Sequence, residues 1–259
     1  VVIDCRFDLT APTLGLTQYL EDHIPGAHYL HLNDDLSGPV IPNQTGRHPL
    51  PSRDLLSHKL GRIGIQSGTQ VVAYDQNHGA FAARIWWLLR WLGHESVQVL
   101  NGGYDDWRAQ DRPVTSDLPA PRPAPFALQT PLTRIMRQLD WNDPKNRLID
   151  ARDPARFRGD HEPIDPVAGH IPGALNLPFL DNLENGRFKN APALAKQFTS
   201  AGLGDAQSLV CYCGSGVTAT QMILALLEAG YPEPALYPGS WSEWILDPEH
   251  IAALSDATR

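Results

Sequence analysis

One cysteine of this chain stands in a glycine-rich loop where it could act as a nucleophile. Residues 213–218 read Cys-Gly-Ser-Gly-Val-Thr, between an apolar run at 208–212 and an amphipathic stretch at 219–230. The pattern predicts a strand, a tight loop and the start of a helix. Backbone N–H groups of such a loop converge, and the helix N-terminus adds positive potential. We therefore expect Cys213 to be an ionised, reachable thiolate, which is the nucleophilic form of the side chain.

Two other roles for Cys213 fit the sequence less well. A lone cysteine is commonly a buried structural residue, but loop glycines just before a helix favour a reactive one. Cysteine phosphatases also place a thiolate in an anion-binding loop, but they need an arginine six residues further on, where this chain has Ala219. Cys211 and Cys213, with no further Cys or His pair nearby, make a poor zinc site. The pattern thus favours a nucleophile that works without a metal ion.

The loop belongs to the second of two similar halves of the chain. The motifs that occur once in each half are Asp-x-Arg at 4–6 and 150–152, His-Ile-Pro-Gly-Ala at 23–27 and 170–174, and a glycine-to-tryptophan segment at 102–107 and 239–244. This repetition indicates a duplicated domain, and we expect each Asp-x-Arg to form a structural ion pair. The position equivalent to Cys213 in the first half is Asp75, which cannot serve as a soft nucleophile. We therefore expect one active site, in the second half.

Short apolar strands alternate with helical patterns in each half, and prolines separate the halves. The alternation predicts an α/β fold, each half being a mainly parallel sheet covered by helices on both faces. In such sheets the working loops lie at the carboxyl ends of the strands, which is where Cys213 stands. Six prolines between residues 111 and 133 predict an extended connection. The predicted organisation is a first domain over 1–112, a linker over 113–130 and a second domain over 131–259.

Composition excludes several classes of partner. The 259 residues are 42% hydrophobic with a net charge of -8, and their Lys and Arg residues form no basic block, so nucleic acid is not expected as a partner. No apolar run approaches the roughly eighteen residues of a membrane span, so no membrane association is expected. Three cysteines do not make a disulfide framework, which favours the reducing cytoplasm.

The two repeats and the Cys213 loop together resemble the two-domain rhodanese family of sulfurtransferases over nearly the whole chain. Within that family, Cys-Gly-Ser-Gly-Val-Thr resembles the 3-mercaptopyruvate sulfurtransferase branch, because the thiosulfate branch typically has basic residues where Gly214 and Ser215 stand. The resemblance implies that sulfur passes from 3-mercaptopyruvate, with release of pyruvate, through a Cys213 persulfide. The acceptor would be a thiol, cyanide or a reduced thioredoxin-like protein, and no metal or organic cofactor is implied. Thiosulfate as the donor, and a non-catalytic rhodanese-like scaffold, stay open as alternatives.

The resemblance also implies which residues bind the donor. Loop positions whose backbone N–H groups would hold the persulfide are Gly214, Gly216, Val217 and Thr218. Arg156 matches an arginine that binds the anionic group of the donor, and a guanidinium suits a carboxylate. Mercaptopyruvate enzymes usually carry a second arginine after a Glu-Pro pair, but the pair at 162–163 is followed by Ile164 and Asp165. One contact is therefore missing, or Arg158 or another residue supplies it.

A proton relay is implied in the same way. Ser215 matches a loop serine that forms a Ser-His-Asp relay with two residues of the first domain. The candidates are His48 and Asp34, and Asp35 could equally be the acidic member. Such a relay would protonate the enolate of departing pyruvate, a step that thiosulfate does not require.

Overall fold

The computed structural model describes residues 1–120, 122–137, 143, 145–204 and 208–257. The chain divides into two compact units. The first consists of Val1–Gly38 and Leu50–Thr133, and the second of Pro39–Pro49 and Arg134–Arg259. The short segment Pro39–Pro49 therefore packs with the second unit, although it lies in the first half of the sequence.

The first unit is built on a parallel sheet of four strands in the order β2-β1-β3-β4. Its strands are β1 (Val2–Asp4), β2 (Ala27–Tyr29), β3 (Val71–Tyr74) and β4 (Val97–Val99). Its helices are α1 (Leu14–Glu21), α2 (Arg53–Arg62), α3 (Ala82–Trp91) and α4 (Gly103–Ala109). Strand β3 lies inside the sheet, and three of its four residues are buried, as expected for a strand covered on both faces.

The second unit has a parallel sheet of five strands in the order β5-β11-β10-β6-β7. The strands of this sheet are β5 (Arg134–Ile135), β6 (Asn146–Asp150), β7 (Leu175–Asn176), β10 (Ser208–Tyr212) and β11 (Ala235–Leu236). A separate antiparallel pair is formed by β8 (Leu183–Glu184) and β9 (Arg187–Phe188). Its helices are α5 (Pro154–Arg158), α6 (Ala191–Ser200), α7 (Thr218–Glu228), α8 (Ser240–Trp244) and α9 (Pro248–Ala257). Within the described residues, no helix is long and apolar enough to cross a membrane. The prediction of two α/β domains with parallel sheets is confirmed.

Each unit carries the same buried ion pair at the end of its first central strand. Arg6 Nη2 lies 2.8 Å from Asp4 Oδ2, and Arg152 Nη2 lies 2.7 Å from Asp150 Oδ2. In both pairs the arginine backbone N–H also donates to the aspartate at 2.9 Å, which closes a tight turn. The predicted structural role of the Asp-x-Arg motifs is confirmed, because all four side chains are buried away from solvent.

The proline-rich stretch predicted as a linker is attached to the first unit by its backbone. The described part of 113–130, which excludes Pro121, forms no helix, and it makes an isolated bridge between Thr115 and His23. Ala124 N–H donates to Gly61 O at 2.8 Å, and Gln129 N–H donates to Leu92 O at 3.0 Å. The stretch is therefore held along the first unit instead of hanging free.

Candidate active site

Cys213 follows directly after β10, which pairs with β11 on one side and β6 on the other. The loop then turns into α7 at Thr218. Gly216 takes a left-handed φ of 75°, and a Cβ atom there would lie 3.2 Å from the Cα of Pro238. A glycine is required at this position, because a side chain would be both strained and crowded. The turn therefore places the thiol at the carboxyl end of a central strand, as predicted.

The start of α8 binds the outer side of the loop. Trp241 N–H donates to Cys213 O at 3.0 Å, and Ser242 N–H donates to Gly214 O at 2.9 Å. The hydroxyl of Ser240 accepts the N–H of Cys213 at 3.1 Å. Since these bonds occupy the first two carbonyls of the loop, the backbone is fixed in one orientation. The N–H groups further along are left to face the thiol.

The Cys213 thiol lies among hydrogen-bond donors that favour its ionised form. Burial alone would raise the pKa of this thiol, but the Thr218 hydroxyl and the backbone N–H groups of Ser215 and Ala219 lower it. The charge of Asp150 has a smaller, raising effect. The net result is a pKa below the ordinary value for cysteine. The sequence predicts that Thr218 donates through its backbone N–H, whereas in the structure its hydroxyl is the donor to the sulfur. Ala219, which also donates its N–H, lies one residue after the last predicted donor.

The other two cysteines show that this effect is local to the loop. Cys211 lies two residues earlier, inside β10, and Cys5 follows β1. Both are buried, and burial raises the pKa of each thiol. Only the cysteine that reaches the loop meets donors strong enough to reverse the cost of burial.

The thiol is less accessible than the sequence predicts. Cys213 is only 2% exposed, so the expectation of a freely reachable thiolate is wrong for this conformation. The physical reason is that the loop itself is buried, since every residue from 211 to 217 is buried. A thiolate enclosed in this way is shielded from water, and contact with a donor has to occur inside the loop.

Ser215 and His48 are brought together. Nδ1 of His48 lies 2.7 Å from Oγ of Ser215, and both residues are only 6% exposed. Ser215 also donates its backbone N–H to the sulfur of Cys213, so the pair lies next to the nucleophile. His48 belongs to the segment Pro39–Pro49, which is part of the second unit.

Asp34 and Asp35, the acidic candidates of the relay, lie in the first unit. The Asp34 carboxylate is 3.1 Å from Nδ1 of His31, and its side chain is 80% exposed. Asp35 accepts the backbone N–H of His31 at 2.6 Å and forms an ion pair with Lys59. The structure thus gives both carboxylates local partners, and an acidic member of the relay stays a prediction.

Arg156, which the resemblance predicts to bind the donor, lies beside the loop. Its Nε and Nη2 donate to the buried carboxylate of Glu162 at 2.8–3.2 Å, and Nη2 donates to Asp165 at 3.0 Å. A Cβ atom on Gly214 would lie 3.5 Å from both Nη atoms of Arg156. Arg158, the predicted alternative, pairs with Asp160, and its side chain is 58% exposed.

Arg47 is a second cation at the loop that sequence reasoning missed. It forms an ion pair with Asp165, and its Nη2 would lie 2.8 Å from a Cβ atom on Gly214. Burial lowers the pKa of Arg47, and the negative charge of Cys213 opposes that shift. Arg47 therefore adds a positive charge near the sulfur, beside the backbone and hydroxyl donors of the loop. The available signal was its position directly before His48, the predicted relay histidine.

The segment that carries Arg47 and His48 is fixed at Gly46. Its N–H donates to the carboxylate of Glu243, and a Cβ atom there would lie 2.6 Å from Oγ of Ser242. The backbone N–H of Arg47 then donates to the same Ser242 hydroxyl at 3.1 Å. Because α8 holds both this segment and the loop, it sets the position of the histidine and the arginine relative to the thiol.

These side chains bring two guanidinium groups and the Ser215–His48 pair beside the thiol of Cys213. In the described part of the chain, no group of three or more His, Cys, Asp or Glu residues is arranged to hold a metal ion. The chemistry that the site offers comes from the Cys213 sulfur, two guanidinium groups and the Ser215–His48 pair.

Comparison with known proteins defines the class. The model of the rhodanese-like domain matches residues 1–110 and again residues 133–247. The chain therefore belongs to the rhodanese-like domain family, in the form of two such domains, and the predicted resemblance is confirmed.

Similar proteins over the whole length are named sulfurtransferases. The chain is 47% identical to a probable 3-mercaptopyruvate sulfurtransferase of Pseudomonas aeruginosa, over 99% of this chain and 93% of that protein. It is 39% identical to a putative thiosulfate sulfurtransferase of Mycobacterium tuberculosis, over 95% and 88%. The solved 3-mercaptopyruvate sulfurtransferase from Leishmania major superposes with a TM-score of 0.85 at 30% identity, over 99% of this chain and 73% of that one.

Proposed function

We propose that this protein is a sulfurtransferase that takes sulfur from 3-mercaptopyruvate onto Cys213, releases pyruvate and passes the sulfur to a thiol acceptor. The observation that carries the proposal is the position of the Cys213 thiol directly after β10, where the Thr218 hydroxyl and the backbone N–H groups of Ser215 and Ala219 donate to it. The 47% identity to a probable 3-mercaptopyruvate sulfurtransferase supports the choice of donor.

The first step is attack by the Cys213 thiolate on the sulfur of the donor. The new S–S bond forms as the C–S bond of the donor breaks, and the electron pair of that bond passes to the enolate of pyruvate. The product on the enzyme is a Cys213 persulfide. Arg156 would bind the donor carboxylate, so that the donor sulfur is presented to the loop.

The pair of Ser215 and His48 would complete this step by delivering a proton to the enolate carbon. The 2.7 Å contact between Nδ1 of His48 and Oγ of Ser215 supports that role. Asp34, or Asp35 in its place, would be the acidic member that orients the histidine. A thiosulfate donor leaves as sulfite and forms no carbanion, so a proton relay favours mercaptopyruvate.

The persulfide would then be held by the loop until an acceptor arrives. The residues proposed to surround it are Gly214, Ser215, Gly216, Val217, Thr218 and Ala219. The acceptor thiolate, or cyanide, attacks the outer sulfur and returns the Cys213 thiolate, so neither a metal nor an organic cofactor takes part. A reduced thioredoxin-like protein in the cytoplasm is the proposed thiol acceptor.

Thiosulfate is the second candidate donor. The 39% identity to a putative thiosulfate sulfurtransferase supports it, and guanidinium groups bind oxyanions of sulfur as well as carboxylates. The uncharged residues Gly214 and Ser215 after the cysteine favour mercaptopyruvate instead.

Mass spectrometry and donor kinetics test the proposal. Incubation of the intact protein with 3-mercaptopyruvate should add the mass of one sulfur atom, and the Cys213→Ser variant should show no gain. With cyanide as acceptor, turnover should be faster with 3-mercaptopyruvate than with thiosulfate. Equal or reversed rates would overturn the choice of donor, and no gain with either donor would favour a non-catalytic scaffold.

A further inference from the structure

Ser240, the first residue of α8, has a backbone conformation that residues other than glycine rarely adopt. Its φ is 53°, in the left-handed region, and the residue is completely buried. A left-handed residue with a Cβ atom is strained, because that atom comes too close to the following carbonyl oxygen. Such strain persists only where the surrounding structure enforces it, and it is concentrated at functional sites. A serine at this place is therefore expected to have a specific use for its side chain.

The first unit makes the same turn with a glycine. Gly103 has a φ of 61°, and the residue after it donates its N–H to Asp75 O at 2.8 Å. In the second unit the residue after Ser240 donates its N–H to Cys213 O at 3.0 Å. A Cβ atom on Gly103 would lie 2.3 Å from Asp75 O, so the first unit leaves no room for a side chain there. The left-handed position is thus a glycine in the unit without the nucleophile and a serine in the unit with it.

The Ser240 hydroxyl lies between two backbone groups at the end of the β10–β11 ladder. Tyr237 N–H donates to Cys211 O at 3.0 Å, and a parallel ladder would continue with Cys213 N–H donating to Tyr237 O. In the structure Cys213 N–H donates to Oγ of Ser240 at 3.1 Å, and that hydroxyl donates to Tyr237 O at 3.0 Å. Since a hydroxyl has one hydrogen and Tyr237 O accepts it, the lone pairs of Oγ face Cys213. The backbone of the nucleophile is therefore held one hydroxyl away from the neighbouring strand.

We propose that Ser240 is a positioning residue for the nucleophile, and that its strained backbone conformation is retained because its hydroxyl fixes the backbone N–H of Cys213. The orientation of that peptide sets the direction of the Cα–Cβ bond, and so determines whether the sulfur reaches the donors of its loop. Without the hydroxyl, Cys213 N–H would move towards Tyr237 O and complete the ladder, which would turn the sulfur away from those donors. The inference rests on the proposed function for its sulfur chemistry, but the orientation of the thiol can be measured without a sulfur donor.

Removal of the hydroxyl tests the proposal through the ionisation of the thiol. Ser240→Gly and Ser240→Ala should both move the pH midpoint of Cys213 alkylation by iodoacetamide to higher pH, because fewer donors would reach the thiolate. The charged groups that act on this thiol, Asp150 and Arg47, are the same in both variants, and so is the neighbouring thiol of Cys211. A midpoint that stays in place in Ser240→Gly overturns the proposal.

Steady-state kinetics separate positioning of the nucleophile from binding of the donor. Both variants should lower kcat with 3-mercaptopyruvate by about tenfold to 100-fold and leave KM nearly unchanged, since the nucleophile is misdirected but the residues that bind the donor are intact. Ser240→Thr keeps a hydroxyl, so its kcat and its alkylation midpoint should lie closer to wild type than to Ser240→Ala. A rise in KM with kcat unchanged, or a Thr variant that behaves like the Ala variant, would count against a positioning role.

A second left-handed residue in the same unit is the matched control. Asn185, in the turn between β8 and β9, is exposed and has a φ of 52°. Asn185→Gly removes strain of the same kind away from the loop, and it should change neither kcat nor the alkylation midpoint. An equal loss of turnover in Asn185→Gly would show that the effect of Ser240→Gly is not specific to the hydroxyl.

Thermal melts measure the strain itself. Ser240→Gly should melt at a higher temperature than Ser240→Ala, because both lack the hydroxyl but only glycine adopts the left-handed angle without strain. Equal melting temperatures would show that the angle has no cost, and the claim of retained strain would fail.

Failure of this inference is distinguishable from failure of the proposed function. If 3-mercaptopyruvate leaves no sulfur on wild-type Cys213, the proposed function fails, and the alkylation midpoints still decide the role of Ser240. If the wild type transfers sulfur and Ser240→Gly matches it in kcat and in alkylation midpoint, this inference alone fails.

Discussion

The loops after β3 and β10 occupy equivalent places in the two units and hold different acidic side chains. In the second unit the loop donates to the sulfur of Cys213. In the first, the carboxylate of Asp75 accepts four backbone N–H groups at 2.8–2.9 Å. Their donors are Asn77, Gly79, Phe81 and Ala82. In both loops the carbonyl of the first residue also accepts an N–H from a short helix further along the chain. Tyr104 N–H of α4 donates to Asp75 O at 2.8 Å, and Trp241 N–H of α8 donates to Cys213 O at 3.0 Å.

The comparison separates what the fold supplies from what the side chain supplies. The fold supplies a cluster of backbone donors at the carboxyl end of a central strand in each unit. Burial raises the pKa of Asp75 even though four hydrogen bonds oppose it, whereas for Cys213 the hydrogen bonds outweigh burial. The aspartate fills its own loop and presents no soft nucleophile. In the second unit the same place holds the sulfur of Cys213, which is polarisable and can act as a nucleophile. We therefore expect the substrate to bind at this loop and not at the loop of Asp75.

The largest expected effect comes from making the second loop resemble the first. Cys213→Asp should abolish sulfur transfer, because a carboxylate cannot form a persulfide. It should leave the protein folded, because the loop can donate to a carboxylate as it does in the first unit. Cyanide-dependent turnover and a thermal melt measure both results. A protein that fails to fold would show that the two loops are not interchangeable as anion sites.

The relay gives the next effect. His48→Ala should lower turnover of 3-mercaptopyruvate by about 100-fold, the usual range for loss of a general acid. Turnover of thiosulfate should fall much less, because no carbanion has to be protonated. Steady-state kinetics with both donors in one preparation make the comparison. Equal losses would remove the proton relay from the mechanism.

The first loop should respond to mutation in stability instead of catalysis. Asp75→Ala leaves four backbone N–H groups, two of them fully buried, without their acceptor, which should cost about 3 kcal/mol of unfolding free energy in the first unit. Asp75→Asn should cost less, since its amide oxygen still accepts. Hydrogen exchange at the amides of Phe81 and Ala82 reports the local loss. Unchanged exchange would show that the carboxylate does not hold this loop together.

The smallest change concerns the acidity of the thiol. Since the Thr218 hydroxyl lowers the pKa of Cys213, Thr218→Val should raise it. The thiol would then ionise at a higher pH than in the wild type. A smaller fraction would be thiolate at neutral pH, so alkylation by iodoacetamide at neutral pH should slow. The pH profile of alkylation measures the shift, with Thr220→Val as a control, because the Thr220 hydroxyl donates to Val217 O instead. A profile unmoved by Thr218→Val would assign the acidity to the backbone alone.

The sequence was sufficient for the features that local pattern encodes. The strand-loop-helix around Cys213 and its counterpart at Asp75 could be predicted because each element is contiguous and the repeat supplies an internal reference. Arg47 could not, since its partner Asp165 lies 118 residues away and only folding brings them together. The low exposure of Cys213 was missed for a related reason: a pattern shows that donors surround the sulfur, but not how closely they cover it.

The placement of Pro39–Pro49 has a consequence for how modular the two repeats are. A fragment cut at the proline-rich stretch would inherit the nucleophile and Arg156, but not Arg47 or His48. The half of the chain without the nucleophile therefore encodes a segment, Pro39–Pro49, that packs with the unit that carries Cys213. Deletion of the first half would therefore also remove two side chains that lie beside the loop of the second half.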